Sequence, residues 1–263
     1  LIDATKNDIV ANVPYIEGCG LWFDHHSSER ERLGPDIKFE GVSRPAPSCA
    51  RVIYDYYGGS AKLGRFAEMV KYVDKMDSAD LTIDEITHPS DWVLLGFIAD
   101  PRTGLGRFRD FSISNFDLMK KLAKATLNRP IEEILAIPDV KERIDVYFEQ
   151  NHLFIKMVKK HSKVDGNVII ADMRGVDPIH AGNRFLIYTL FPEQNISVWV
   201  TEGKHNVNCV ITVGYSVINK TAKADVGSLM LKYGGGGHRQ AGTCQTDRAE
   251  TDRILREIIA KLR

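Results

Sequence analysis

The sequence predicts an α/β protein whose two domains are joined by a long helix. Two apolar runs near the start of the chain end in polar residues, which is typical of strands in an open α/β sheet. Residues 139–160 have the apolar spacing of one amphipathic helix, and the half that follows is richer in strand-like segments. At 263 residues the chain is long enough for each domain to bury a core. The predicted ranges are 1–138 for the first domain, 139–165 for the connector and 166–263 for the smaller mixed α/β domain.

Composition and charge exclude several classes of protein. Lys plus Arg and Asp plus Glu both number 35, so no overall positive field attracts a polyanion. No apolar stretch approaches the ~20 residues of a membrane span, and no membrane partner is expected. The four cysteines form no Cys-x-x-Cys pair, which argues against a zinc ribbon or a disulfide framework and favours a reducing, cytoplasmic location. These cysteines are Cys19, Cys49, Cys209 and Cys244.

The most informative stretch is the triplet Asp24-His25-His26. It follows the apolar run 19–23, which predicts a buried strand, and a shorter strand is predicted at residues 8–12. A strand that ends in one carboxylate and two imidazoles delivers them to the carboxyl edge of the sheet, where ligands bind in open α/β folds. These side chains can ligate a divalent metal or relay protons beside one. The alternative is a capped strand end, at which Asp24 holds the turn and both histidines are exposed.

Two helices are predicted after this strand. Ser48 fits the N-cap of a helix that runs through Tyr57 and stops at two glycines. Residues 62–81 predict a second helix, on whose apolar face Asp77 continues the helical spacing, with Asp80 nearby. An unpaired carboxylate on a core-facing position is costly, so Asp77 is predicted to face a metal; alternatively, the helix ends here and its aspartates emerge into water. The apolar face comprises Leu63, Phe66, Ala67, Val70 and Val73, with Asp74 at its margin.

Further elements are predicted along the rest of the chain. The charged stretch 27–32 is expected to be exposed, and the loop 100–107, with two arginines and two glycines, is expected to be a surface turn rather than a phosphate contact. Arg174, His180 and Arg184 are expected to be ordinary surface or capping residues. The other predicted helices are 92–99, 114–127, 180–191, 225–233 and 251–262, and the other strands are 167–171, 196–201 and 207–213, with 202–206 as a hairpin loop.

A run of four glycines before a histidine is the second informative stretch. Glycines let the backbone adopt positive φ and approach a ligand closely, and consecutive N–H groups in such a turn can form an anion-binding nest. The two residues that follow the glycines add donors for a phosphate oxygen. We therefore interpret the run as a phosphate cradle; the alternative is a flexible linker, which more often carries serines. The run is Gly234-Gly235-Gly236-Gly237-His238-Arg239.

With both stretches in view, the chain resembles the DHH phosphoesterase family with its DHH-associated C-terminal domain. The triplet Asp24-His25-His26 matches the motif that gives the family its name, and Gly234 to His238 match the marker of the C-terminal domain. The resemblance spans essentially the whole chain. It is strongest to the exopolyphosphatase-related branch, alongside oligoribonucleases and phosphoadenosine-phosphate phosphatases.

The resemblance implies a catalytic domain with a parallel sheet and a site for two divalent ions, usually Mn²⁺ with Mg²⁺ as an alternative. It implies that His25 is a metal ligand, that His26 faces the phosphate and that Asp24 orients the imidazoles. The family's fourth motif supplies one aspartate after a helix, for which Asp77 is the first choice and Asp80 the reserve. The glycine run, with Gly235, Gly236, Gly237, His238 and Arg239, would hold a terminal phosphate or the backbone of a short substrate.

Two departures from the family pattern concern the metal ligands. The first motif, Asp-x-Asp, does not precede the second strand here and would lie before Leu1. The second motif normally supplies an aspartate at a strand end, where this chain has Asn12 unless Asp3 takes the role. Because an amide is a neutral and poorer ligand for a hard cation, the residues present are expected to hold one ion weakly or none.

The sequence thus predicts metal-assisted hydrolysis of a phosphodiester or phosphoanhydride bond. A short substrate fits the neutral chain, which leaves an oligonucleotide, a nucleotide phosphate and polyphosphate as options. The alternative function is a catalytically impaired phosphoesterase fold that binds nucleotides or single-stranded nucleic acid. The oligomeric state is left open, with a homodimer among the options.

Overall fold

The computed structural model describes residues 3–26, 29, 32–34, 36–203 and 207–263. The chain divides into two compact units, Leu1–Leu81 and Thr82–Arg263. Most of the charged stretch 27–32 and residues 204–206 of the predicted hairpin loop lie outside the described residues. The domain boundaries at 138/139 and 165/166 stay predictions, because compactness alone does not test them.

The first unit contains a three-stranded parallel sheet in the order β1-β2-β3. The parallel sheet confirms the prediction, and β2 ends at Asp24 as expected. The third strand was not predicted from the sequence. Its first residue, Gly41, has φ +113° and lies so close to Trp22 that a Cβ would stand 2.1 Å from the Trp22 carbonyl oxygen. The strands are β1 (Ile9–Ala11), β2 (Leu21–Asp24) and β3 (Gly41–Ser43).

The strand β2 is buried on both faces, which explains its continuous apolar run. Trp22 is fully buried and packs edge-on against Phe39 at a centroid distance of 4.8 Å. The next side chain, Phe23, points to the other face and joins Cys49 and Val52 in a small core. Packing on both sides therefore fixes the strand whose end carries Asp24.

The helices of the first unit differ from the prediction in one respect. Ser48 caps the first helix by accepting a hydrogen bond from the Arg51 N–H, which confirms the predicted helix start. The predicted single helix 62–81 is instead two helices separated by a 3-10 turn at Gly64–Phe66, and of its expected apolar face only Val70 is buried. Ala67 and Val73 are exposed, because this helix packs through polar contacts. The helices are α1 (Cys49–Tyr56), α2 (Gly59–Leu63) and α3 (Ala67–Asp77).

The helical part of the second unit has its own core. The predicted helix 92–99 and the helix capped by Ser114 are both confirmed, and Ser114 accepts a hydrogen bond from the Asp117 N–H. Leu118, Ile134 and Val140 are almost fully buried where three helices meet. The helices are α4 (Ile83–Thr87), α5 (Asp91–Ala99), α6 (Asn115–Ala125), α7 (Ile131–Leu135) and α8 (Pro138–His161), with 3-10 turns at Pro101–Thr103 and Leu105–Arg107.

The long helix predicted over residues 139–160 is confirmed as α8, which has 24 residues and spans about 36 Å, whereas its role as a connector stays a prediction. Its buried side chains include Arg143, which is 1% exposed and donates to the carbonyl oxygens of Asp139 and Ile113. These bonds satisfy a charge that would otherwise be costly to bury. No helix in the described part of the chain is both sufficiently long and sufficiently apolar to cross a bilayer.

The second unit also contains a mixed sheet in the order β4-β5-β6-β7-β9-β8. The predicted pairing of two long strands is confirmed by the antiparallel register of β6 and β7, in which Val198 lies opposite Val213. Both side chains are buried against the terminal helix and its neighbours. The strands are β4 (Ser162–Asp165), β5 (Val168–Asp172), β6 (Ile196–Glu202), β7 (Asn208–Tyr215), β8 (Gly236–His238) and β9 (Ala241–Asp247), and the helices are α9 (Leu186–Leu190), α10 (Val226–Leu231) and α11 (Thr251–Leu262).

The predicted helix 180–191 is wrong for its first half. Only Leu186–Leu190 is helical, because tertiary hydrogen bonds hold the preceding residues in another conformation. Gly182 donates its N–H to the Thr103 carbonyl oxygen at 3.0 Å. The Asn183 side chain donates to the Ile86 carbonyl oxygen and accepts from the Phe185 N–H. Local helix propensity is thus overridden by contacts distant in sequence.

The last two glycines of the run and His238 form the edge strand β8. Gly235 lies so close to β9 that a Cβ would stand 2.1 Å from the Thr243 carbonyl oxygen. Gly237 has φ +153°, and a Cβ there would stand 2.2 Å from the Ala241 carbonyl oxygen. Close packing of two backbones therefore requires glycine at both positions.

We expect Gly235→Ala to lower the free energy of unfolding by about 1–3 kcal/mol, because the new methyl group pushes β8 away from β9. Gly236→Ala is the matched control, since a Cβ at Gly236 meets nothing within 4 Å. The control should change stability by less than about 0.5 kcal/mol. Urea unfolding of both variants measures the difference. Equal stability of the two variants would contradict the close packing.

Candidate active site

Asp24 ends β2 as a fully buried carboxylate whose two oxygens are both engaged. Oδ2 accepts the His26 N–H at 3.0 Å, and Oδ1 lies 2.8 Å from His26 Nδ1. Because an ionised carboxylate can only accept, Nδ1 carries the proton in this pair. Asp24 therefore fixes both the tautomer and the ring orientation of His26.

His25 is held in a different way. Its Nδ1 lies 3.1 Å from the Ala46 carbonyl oxygen, which can only accept, so Nδ1 is the donor. In the neutral ring, Nε2 then presents a lone pair. This buried atom has no hydrogen-bond partner in the described residues and lies 3.3 Å from Asp77 Oδ2. Two acceptors that face each other form a place for a proton or a cation.

This pair fits part of a metal site. The His25 side chain is 13% exposed and that of Asp77 is 41% exposed, so the pair can be reached from solvent. Two ligands that each lie about 2.1 Å from one ion are about 3 Å apart at a right angle, close to the observed separation. Among the residues that the structure describes, no group of three or more His, Cys, Asp or Glu side chains could hold an ion. The described residues therefore supply two donors of an incomplete coordination shell.

The helix α3 that carries Asp77 is positioned by Asp74. Asp74 Oδ1 accepts the Ser48 hydroxyl at 2.6 Å, and Oδ2 accepts Arg51 Nε and Nη2 at 2.8 and 2.6 Å. The sequence placed Asp74 at the margin of the apolar face, and its side chain is 15% exposed, but its contacts with Ser48 and Arg51 were not predicted. The spacing of Val70, Asp74 and Asp77 along one helical face could have revealed that Asp74 is mostly buried.

Cys49 lies beside the same strand end and was not identified from the sequence. Its thiol donates to the Phe23 carbonyl oxygen at 3.2 Å. Burial raises the pKa of the Cys49 thiol, the Asn12 backbone partly offsets this, and the negative charges of Asp24 and Asp77 raise it further. Cys49 therefore stays protonated at neutral pH and is not prepared to act as a thiolate ligand.

The remaining predicted ligands, Asn12, Asp3 and Asp80, are all exposed. Asn12 follows β1 at the same sheet edge with φ +59°, and its N–H donates to the Phe23 carbonyl oxygen. Its side chain is exposed and makes no hydrogen bond among the described residues. Asp3 is exposed, and Asp80 is exposed beyond the end of α3. Of the acidic candidates, the structure brings only Asp77 to His25.

The backbone of the predicted phosphate cradle differs from that of an anion-binding nest, in which consecutive N–H groups point at the anion. The N–H groups of Gly234 and Gly235 donate to carbonyl oxygens at the end of α10 and so terminate that helix. His238 and Arg239 are exposed, and the charge of Arg239 helps to lower the pKa of Asp225, for which the Ser228 N–H is the main cause. Phosphate contact by the predicted residues stays a prediction. These residues are Gly235, Gly236, Gly237, His238 and Arg239.

Comparison with known proteins identifies one close relative. The chain is 39% identical to the pGpG-specific phosphodiesterase PggH from Vibrio cholerae, with a TM-score of 0.81, over 99% of this chain and 86% of that one. An exopolyphosphatase-related protein from Bacteroides fragilis is 14% identical over 92% of this chain and 63% of that one, at a TM-score of 0.48. RecJ from Thermus thermophilus, solved with Mg²⁺, is 14% identical over 96% and 42%, at a TM-score of 0.41. The last two scores are too low to support an inference. No family model and no curated protein matches the chain.

We expect Arg51→Gln to destabilise the first unit by about 1–3 kcal/mol, because it leaves the mostly buried Asp74 carboxylate with the Ser48 hydroxyl alone. Arg44→Gln is the matched control, since Arg44 pairs with Asp55 on the surface. An exposed pair of this kind contributes about 0–1 kcal/mol. Urea unfolding gives the magnitude, and hydrogen exchange of α1 and α3 shows where protection is lost. Equal effects of the two variants would contradict a positioning role for the Asp74–Arg51 pair.

Proposed function

Because the chain belongs to the DHH family of phosphoesterases, we propose that it is a metal-dependent phosphodiesterase that cleaves a short 5′-phosphorylated oligonucleotide. The observation that carries the proposal is the pair formed by His25 Nε2 and Asp77 Oδ2, two acceptors 3.3 Å apart at the end of β2. A divalent cation would relieve the repulsion between these two acceptor atoms. A phosphodiester substrate brings the negative charge that such a cation binds.

His25 and Asp77 would hold this ion. The carbonyl of Ala46 keeps the His25 ring turned so that Nε2 faces Asp77, which removes the need to reorganise the ring when a metal binds. A donor set with an imidazole nitrogen is less suited to Mg²⁺, which prefers oxygen ligands and keeps its waters, so Mn²⁺ is the proposed ion. When bound, such an ion lowers the pKa of a coordinated water and neutralises charge on the phosphoryl oxygens.

His26 would contact the phosphoryl group that is transferred. Because its Nδ1 proton is donated to Asp24, proton exchange with substrate falls to Nε2. When Nε2 carries a proton, it can donate a hydrogen bond to a developing oxyanion. Asp24 acts through His26 and is a positioning residue.

The substrate proposed is a 5′-phosphorylated dinucleotide of the pGpG type. The relative that is 39% identical over 99% of this chain is named as specific for pGpG. Equal numbers of acidic and basic residues, 35 of each, give no extended positive field for a long nucleic acid. Hydrolysis of the single phosphodiester bond of pGpG would give two molecules of GMP. Gly236, Gly237, His238 and Arg239 are the proposed contacts for its phosphates.

Replacing His25 tests the metal assignment. We expect His25→Ala to lower kcat/KM for pGpG by more than about 100-fold, since losing even an outer-shell partner of a metal ligand costs about 10–100-fold. His152→Ala is the matched control, because His152 is an exposed histidine of α8. Titration calorimetry with Mn²⁺ should show weakened binding in His25→Ala and unchanged binding in the control. Wild-type turnover in His25→Ala would refute the assignment.

A panel of substrates tests the proposed specificity. We expect release of GMP from pGpG in the presence of Mn²⁺, with slower cleavage of longer oligonucleotides and no release of phosphate from polyphosphate. A local pocket would account for this order, because each added nucleotide brings charge that the neutral chain cannot match. Chelation of the metal should stop the reaction. Tight binding of pGpG without any turnover in Mn²⁺ would instead favour a binding protein that keeps the fold.

A further inference from the structure

A group of arginines in the second unit is not used by the proposed reaction. The segments 100–107 and 180–184 run side by side, joined by the Gly182 N–H to the Thr103 carbonyl oxygen and by Arg107 Nη2 to the His180 carbonyl oxygen at 3.1 Å. Thr103 is buried, and its hydroxyl donates to the Phe97 carbonyl oxygen. The loop that was expected to be a simple surface turn is therefore anchored at several points, so its arginines are presented on a fixed backbone.

The arginines of this group outnumber their acidic partner. Arg102 Nε donates to both oxygens of Asp100, at 2.8 and 3.0 Å. Arg184 approaches the same carboxylate only to 3.9 Å, and Arg107 makes no ion pair among the described residues. Three guanidinium groups and one carboxylate leave a local charge of plus two (3 − 1). We call Asp100, Arg102, Arg107 and Arg184 the arginine cluster.

Arg184 is the member whose hydrogen-bonding capacity is least used. Its side chain is 33% exposed and rests on the Phe185 ring at 4.5 Å. None of its five N–H groups donates a hydrogen bond within the described residues, although the planar guanidinium is built to donate in pairs. Burial lowers the pKa of Arg184 and the like charge of Arg102 lowers it further, while Asp100 and Tyr188 partly offset this. The guanidinium N–H groups of Arg184 are therefore available to a ligand that supplies hydrogen-bond acceptors.

We propose that the arginine cluster binds a phosphate group, with Arg184 as the main contact and Arg102 and Arg107 adding positive charge. A phosphate oxyanion carries the charge that the cluster lacks and presents paired oxygens that match the guanidinium fork. The phosphate could belong to the 5′ end of a dinucleotide or to a free anion that binds independently of it. The inference concerns binding alone and goes beyond the proposed hydrolysis.

The test is equilibrium binding to the protein in the presence of EDTA, so that turnover plays no part. Pyrophosphate, pGpG and GpG are titrated by calorimetry into wild type, Arg184→Gln and Arg109→Gln. Arg109 is an exposed arginine of the same part of the chain and outside the cluster, so its variant removes the same charge. We expect Arg184→Gln to weaken binding of pyrophosphate or pGpG by about tenfold or more, whereas Arg109→Gln changes it by less than about twofold.

The three ligands separate the two sources of phosphate. If the 5′ end of a dinucleotide is the ligand, Arg184→Gln weakens pGpG and leaves GpG unchanged. If a free anion is the ligand, the variant weakens pyrophosphate and leaves both dinucleotides unchanged. Unchanged binding of all three ligands, or equal losses in Arg184→Gln and Arg109→Gln, would overturn the proposal.

Thermal unfolding separates binding from a structural role. Because Arg184 donates no hydrogen bond among the described residues, Arg184→Gln should unfold at the wild-type temperature or above it. A clear fall in the unfolding temperature would assign Arg184 to stability and overturn the proposal. Arg184→Lys keeps the charge and the aliphatic stem but loses the planar fork. It should be fully folded and bind several-fold more weakly than wild type, and wild-type affinity would likewise contradict the proposal.

Discussion

An imidazole lone pair and a carboxylate oxygen face each other in the first unit, and contacts from two other parts of that unit hold them in place. The Ala46 carbonyl holds the His25 ring through Nδ1, so the ring does not turn its N–H toward Asp77. The α3 helix that carries Asp77 is tied to α1 by Asp74 and Arg51. Two acceptor atoms whose lone pairs repel each other are therefore kept close together by the surrounding fold, and a positive charge between them relieves the repulsion. The reaction proposed for this protein follows from that constraint.

Sequence reasoning predicted the parts of the site that depend on local order along the chain. The triplet was recognised because an apolar run ends at Asp24, and Asp77 because it continues a helical spacing. The contacts of Asp74 were not predicted, since its partners are distant in sequence: Arg51 in an ion pair 23 residues away and the Ser48 hydroxyl 26 residues away. Cys49 carries no motif, and only the fold brings its thiol to the end of β2.

The second unit shows the same division between local and tertiary information. Its long helix and paired strands were predicted from periodicity, because each repeats one pattern over many residues. The helix predicted at 180–191 begins late, since Gly182 and Asn183 are bound by residues about 80 to 100 positions earlier. The glycine run was recognised as special, but the reason found in the structure is the approach of two backbones, which no single-sequence pattern encodes.

The contact between Asp24 and His26 has a consequence for how this site can change over evolution. The two partners are only two residues apart, so their hydrogen bonds are local in the sequence. The separation of His25 from Asp77 instead depends on elements that are distant in the chain. The Asp24–His26 contact is therefore set by a short peptide, whereas the distance between His25 and Asp77 can change when the helices shift. The His25–Asp77 pair can thus diverge while His26 keeps its orientation.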